Sequence, residues 1–127
     1  MSRSTIRSDK APAAVGPYSL GVRAGDLVFL SGQVALIPAE GRLLDGDVEA
    51  QTRQVFANVA AAAEAAGGSL ASIVKLTLYL ADIDDFQAVN AVMREIFTEP
   101  YPARAAVGVA ALPLGAKVEA DAILYLG

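Results

Sequence analysis

Two residues near the C-terminus carry most of the chemistry this chain can offer. Pro102-Ala103-Arg104 opens a strand-like run, and fifteen residues beyond the arginine stands Glu119, in Val118-Glu119-Ala120-Asp121. The rest is chemically sparse. With no histidine and no cysteine, imidazole bases, thiolate nucleophiles, Ser-His pairs and Cys/His metal sites are excluded. Chemistry must come from Arg, Asp, Glu, Lys, Tyr, Ser, Thr and backbone groups.

Arg104 is followed by Ala105, Ala106, Val107 and Gly108. A guanidinium among such small apolar neighbours is suited to grip a carboxylate bidentately, a pairing that contributes about 1.5–3 kcal/mol. The same placement fits an arginine that snorkels to solvent or pairs with a local acid. Glu119 shares a strand side with Lys117 and Asp121, while Val118, Ala120, Ala122 and Leu124 take the other. A carboxylate there can orient or deprotonate a water; the wet face of an antiparallel strand has the same pattern. Tyr18, in Gly16-Pro17-Tyr18-Ser19, can close over a small ligand or staple its segment to the sheet. Ser31-Gly32-Gln33 ends a strand with a glycine, suited to close approach of its backbone to a ligand or to a β-bulge. Asn90, four residues after Phe86, belongs to the buried side of a helix, where it is expected to bond to backbone. Asp82, Asp84 and Asp85 precede that helix, so N-capping accounts for them better than cation binding. Phosphate-binding glycine loops, zinc-protease helices and nucleophile elbows are absent.

These side chains need a scaffold. Residues 11–17 (Ala-Pro-Ala-Ala-Val-Gly-Pro) read as an irregular extended segment, because each proline biases its predecessor away from helix. Strand-like runs follow at Ser19–Arg23 and Val28–Val34, split by the hairpin signal Gly25-Asp26. After a loop with Pro38, Gly41 and Gly46, Asp47 caps a helix that runs to Ala66 and stops at Gly67-Gly68. In the strand Ile73–Leu80, Val74, Leu76, Leu78 and Leu80 are expected on one side. A second helix is expected from Asp84 to Phe97, then strands at Arg104–Ala110 and Lys117–Leu126. The order is β-β-α-β-α-β-β, an α+β domain with helices on one face of a single sheet. Its other face needs a cover, and a neighbouring subunit is the economical one.

Composition sets limits. At 127 residues the chain is one domain, residues 1–127, large enough for a real core. It is 54% hydrophobic and 19% charged, against about a quarter charged in typical domains. The excess predicts apolar surface buried between copies of the chain, a homo-oligomer. A net charge of −4, with the basic residues scattered, argues against nucleic-acid binding. The first ten residues lack the apolar core of a secretory signal. The apolar stretch Val55–Ala66 is too short for a membrane span and is broken by Asn58 and Glu64. Absence of cysteine fits the cytoplasm.

Taken together, the motifs resemble the RidA/YjgF family of reactive-intermediate (enamine/imine) deaminases. The likeness runs through Ala11-Pro12-Ala13-Ala14-Val15-Gly16-Pro17-Tyr18, Ser31-Gly32-Gln33, the Asn58 helix ending Ala65-Ala66-Gly67, Val74-Lys75, Asp84-Asp85-Phe86 with Val89-Asn90, and Pro102-Ala103-Arg104. The resemblance implies a chorismate-mutase-like α+β fold with a mixed sheet, assembled as a homotrimer with active sites between subunits. It implies hydrolysis of 2-aminoacrylate and 2-iminobutanoate to 2-oxo acids and ammonia, with no metal or cofactor. In that family pattern Arg104 binds the substrate carboxylate, Glu119 orients and helps deprotonate water, and Tyr18 closes the pocket. Ser31, Gly32, Asn90 and Ala106 fall at substrate-binding positions.

The chain departs from the pattern at two places. Many active members carry a cysteine where Ala106 stands, and the usual Glu-hydrophobic-Glu reads Glu119-Ala120-Asp121. Two alternatives share the fold: a C–N hydrolase acting on a bulkier enamine or enamide, and a non-catalytic trimer that binds 2-oxo acids.

Overall fold

The computed structural model describes residues 3–127. Helix α1 (Val48–Ala65) starts where the sequence places it, because the Asp47 carboxylate accepts the Ala50 N–H at 2.8 Å. It ends before Gly67, whose φ of 95° few other residues tolerate. Its inner side carries Val48, Val55, Phe56, Val59, Ala62 and Ala63. Helix α2 (Phe86–Ile96) begins two residues later than expected, since Ile83–Asp85 form a 3-10 turn capped by the Asp82 side chain. That turn settles the aspartate cluster as a cap. Just past α2, Phe97 meets the Phe56 ring edge-on, centroids 5.2 Å apart.

Among the described residues there are eight strands: β1 (Ser4–Ile6), β2 (Gly21–Ala24), β3 (Leu27–Gln33), β4 (Leu36–Ile37), β5 (Arg42–Leu43), β6 (Ile73–Leu80), β7 (Ala103–Gly108) and β8 (Val118–Tyr125). Six form one sheet in the order β1-β2-β3-β8-β6-β7, while β4 and β5 make a separate hairpin. All sheet neighbours are antiparallel except β6 and β7, so the sheet is mixed. The expected β-β-α-β-α-β-β order therefore lacked three short strands. β1 buries only Ile6, and β4 and β5 have two residues each, too few for an alternating pattern to register. β7 stops at Gly108, short of the expected Ala110.

Both helices pack on one face of the sheet, over Val28 and Leu30 of β3, Leu76, Leu78 and Leu80 of β6, and Val118, Ala120, Ala122 and Leu124 of β8. Each fully buried leucine or valine stabilises the fold by about 1.5–3 kcal/mol. Val74 does not join them. The β6–β8 register slips between Ile73 and Lys75, which substitutes Ile73 in the core and leaves Val74 46% exposed. Among the described residues the opposite face carries no helix. Leu27, Phe29, Val107 and Tyr125 lie exposed there, alongside half-buried Tyr79, Glu119 and Asp121.

Two buried side chains of α1 tie the irregular 34–44 stretch to the core. Asn58 Nδ2 donates to the carbonyls of Val34 (3.1 Å) and Leu36 (2.8 Å). Gln51 donates to Leu44 O and accepts from Lys117 N–H, at 3.0 and 2.9 Å. Among the described residues no helix is long and apolar enough to cross a membrane.

Candidate active site

A cavity of about 630 Å³ opens between the extended strap of residues 11–20 and the ends of β3 and β8. Pro12, Ala13, Ala14, Val15, Tyr18 and Leu20 form the strap wall, Ser31 to Val34 the floor, and Leu36, Gly41, Pro113 and Leu114 the far rim. Glu119 supplies the one carboxylate. Three of the residues that the sequence marks, Tyr18, Gly32 and Ser31, converge here with it.

The floor explains how a carboxylate fits. Between the pairs Leu30–Ala122 and Gln33–Ala120, two residues of β3, Ser31 and Gly32, stand against the single Asp121 of β8. This is a bulge. A Cβ on Gly32 would occupy the place of Glu119 Oε2. The bulge weighed for the glycine is therefore present, and the missing Cβ admits the acid. Burial, then the nearby charge of Asp121, pushes the Glu119 carboxyl above the usual carboxylate range. A carboxylate that holds its proton more readily is better matched to exchanging protons near neutral pH.

Tyr79 stands opposite Glu119 in the β6–β8 register and donates its hydroxyl to Asp121 Oδ2 at 2.8 Å. That hydrogen bond, then burial, then the charges of Asp121 and Glu119 hold the phenol proton more tightly than usual. No local signal announces this pair. Its members are 42 positions apart and meet only because β6 and β8 are neighbours.

Both ends of the strap are pinned. Ala11 and Pro12 are buried at one end. At the other, Ser31 Oγ donates to Ser19 O at 2.6 Å and Ser31 N–H to Leu20 O at 2.9 Å. Ser31 therefore lines the cavity while its donors serve the strap. Between the pins, Tyr18 is 48% exposed at the cavity mouth and its hydroxyl accepts from Val15 N–H. Across the mouth, Leu114 projects into solvent with a φ of 61°, uncommon for a branched side chain.

Arg104 is elsewhere. It lines a separate cavity of about 300 Å³ with Asn90, Met93, Arg94, Tyr101 and Pro102. Its Nη1 donates to Asn90 Oδ1 at 2.6 Å and lies 3.4 Å from Met93 Sδ, and its Cζ sits 5.1 Å from the Phe86 ring centroid. Asn90 thus bonds to the arginine rather than to backbone, correcting the sequence expectation. The α2 side chains hold one nitrogen of the guanidinium, and among the described residues its other donors make no hydrogen bond or salt bridge. Ala106 lies on the same face, paired with Leu78 and packed against the core.

Register sets the two halves apart. Arg104 is opposite Leu76, on the helix face, whereas Glu119 is opposite Tyr79, which is opposite Val107, on the open face. Two strand spacings and three residues along the strand separate their Cα atoms by about 14 Å. Within one chain their side chains point to opposite sides of the sheet. No group of three or more His, Cys, Asp or Glu among the described residues is placed to hold a metal ion.

The family model described as endoribonuclease L-PSP matches residues 8–126. The 2-iminobutanoate/2-iminopropanoate deaminase of Capra hircus is 45% identical over 125 residues, covering 98% of this chain and 91% of that protein. The crystal structure of RidA from the Antarctic bacterium Psychrobacter superposes with a TM-score of 0.93 at 52% identity, covering 96% of this chain and 98% of the other. The structure of E. coli TdcF with bound serine gives a TM-score of 0.93 at 39% identity, covering 98% and 99%.

Proposed function

This chain belongs to the RidA/YjgF family, and from that membership we propose that it is a hydrolytic deaminase of 2-imino acids and their enamine tautomers. Its substrates on this reading are 2-aminoacrylate and 2-iminobutanoate, and its products 2-oxo acids and ammonia. The observation that carries the reading is Glu119, a half-buried carboxyl with raised proton affinity, set by Gly32 at the floor of a cavity of about 630 Å³.

The chemistry follows from the groups present. The substrate's carboxylate pairs with Arg104, whose orientation is held by Asn90 and the Phe86 ring. An enamine first takes a proton at its terminal carbon and becomes the iminium, an electrophile at carbon 2. Glu119 accepts a proton from water as the oxygen bonds to that carbon, giving a tetrahedral carbinolamine. The same carboxyl then passes its proton to the amino group; the C–N bond breaks, ammonia leaves, and the Glu119 carboxylate takes up the hydroxyl proton as the C=O forms. Positioning plus one general base contributes about 10²–10⁴ in rate, sufficient for so reactive a substrate. Tyr18 closes the mouth over the ligand.

A single chain is incomplete for this sequence of steps. The opposite-face placement of Arg104 and Glu119 supports an assembly in which the arginine edge of one protomer completes the Glu119 cavity of the next, in a cyclic homotrimer. The exposed Leu27, Phe29, Val107 and Tyr125 give the open face the apolar character such an interface uses. The net charge of −4 disfavours RNA as the substrate, despite the name of the family model. The cytoplasm remains the expected compartment.

The test generates 2-aminoacrylate and 2-iminobutanoate in situ with a serine/threonine dehydratase and follows imine loss. Wild type should accelerate it, and Arg104→Ala and Glu119→Gln should not. Acceleration by both variants would refute the assigned roles. Its apolar walls at Val15, Leu36 and Leu114 also favour a second reading, a bulkier enamine or enamide as substrate. Turnover of such a compound with none of the small imines would select it. Carboxylate binding without any turnover would select a non-catalytic 2-oxo-acid binder.

A further inference from the structure

The cavity at Arg104 contains a second guanidinium that the reaction above does not use. Arg94 lies one turn beyond Asn90 on the same side of α2, about 6 Å along the helix axis. Asn90 in turn holds Arg104 at 2.6 Å. The lining, completed by Met93, Tyr101 and Pro102, contains no acid. Among the described residues the salt bridges join Arg42 to Glu40 and Arg53 to Glu95, so neither arginine of this cavity is neutralised. In a chain with 14 acidic and 10 basic residues, an acid-free pocket with two cations runs against the average. A place in the last turn of α2 suits Arg94 to the helix dipole, but that does not account for a second unpaired guanidinium and a tyrosine facing the same hollow.

We propose that Arg94 and Arg104 form a two-cation subsite that selects 2-imino acids bearing a second carboxylate at the far end of the side chain. The inference rests on the reading of Arg104 as the anchor of the substrate's first carboxylate. Size agrees with it. The terminal carbons of an extended five-carbon dicarboxylate are about 5 Å apart, four ~1.5 Å bonds in a zigzag, short enough to lie within the cavity of about 300 Å³ that both arginines line. Each carboxylate then meets its own guanidinium, and Tyr101 can donate to the outer one. Hydrolysis at carbon 2 proceeds as for the smaller imines.

The test uses the stable 2-oxo products, whose binding needs no turnover. Titration calorimetry on the assembled protein at low salt compares a five-carbon 2-oxo dicarboxylate with the 2-oxo monocarboxylate of equal length. Wild type should bind the dicarboxylate at least ~10-fold more tightly. Arg94→Gln, at an exposed position that leaves the core intact, should bring that ratio to about one, and Arg94→Lys should keep part of it. Equal affinities in wild type, or an unchanged ratio in Arg94→Gln, would overturn the second-carboxylate subsite while leaving the anchor in place. Failure of both ligands to bind wild type would overturn the role of Arg104 itself.

Discussion

Mixing two inactive variants of this protein should regenerate activity. Arg104 and Glu119 lie on opposite faces of one sheet with Cα atoms about 14 Å apart, so a substrate of a few carbons cannot touch both within a chain. In the proposed cyclic assembly each site would take its arginine from one protomer and its acid from the next. When Arg104→Ala and Glu119→Gln chains are dissociated, mixed in equal amounts and reassembled, about one site in four receives both intact groups. Each parent should sit roughly 10²–10⁴ below wild type, so the recovered quarter stands well above background. A second mixture sharpens the arithmetic. Wild type reassembled with an equal amount of the double variant shows, per chain in the mixture, about one quarter of wild-type activity if sites are shared, and about one half if each chain holds a whole site. The assay is imine loss, with mixed assemblies verified by native mass spectrometry. Absence of recovery in verified mixed assemblies, or one half in the second mixture, would refute the shared site.

Other consequences can be checked singly. Gly32→Ala puts a methyl where Glu119 Oε2 lies, so kcat should fall about 10²-fold, approaching Glu119→Gln; near-normal kcat would contradict the described floor. Asp121→Asn removes the second cause that raises the Glu119 carboxyl. The base then ionises at lower acidity cost, and the acid limb of the kcat/KM profile should move to lower pH. A limb that stays or rises would mean Asp121 does not act on Glu119. Asn58→Ala leaves the Val34 and Leu36 carbonyls without their donor. Urea unfolding should show a loss of about 1–3 kcal/mol.

Local features of the fold were legible where local rules govern. Asp47 and Gly67 bracket α1 because capping and left-handed backbone are properties of one or two residues. Gly25, with a φ of 63°, turns β2 into β3 as its hairpin signal implies. The failures have a common cause. Val74 faces outward because β6 slips against β8, and β1 forms because β2 is there to pair with it. Such effects depend on a partner strand far away in sequence. The candidate site divides in the same way. Residue type alone marked Arg104 and Glu119, and the resemblance gave them roles. Their opposite faces follow from the order β8-β6-β7, and the Tyr79–Asp121 pair from a register between distant strands. Neither is written in any short segment.

The pinned strap also bears on how such a protein diversifies. Its anchors, Ala11 and Pro12 at one end and the Ser31 hydroxyl at the other, belong to the scaffold. The six residues from Ala13 to Tyr18 are exposed and support none of the core, yet four of them form a wall of the cavity. Substitutions there alter which ligands fit at little cost in stability, because surface positions away from packed features usually change it by less than about 0.5 kcal/mol. On the proposed reading the wall, Tyr18 apart, is therefore free to drift under selection for new substrates while Tyr18, Glu119 and its bulge stay fixed. A lineage can acquire a new specificity here without first accumulating stabilising changes elsewhere.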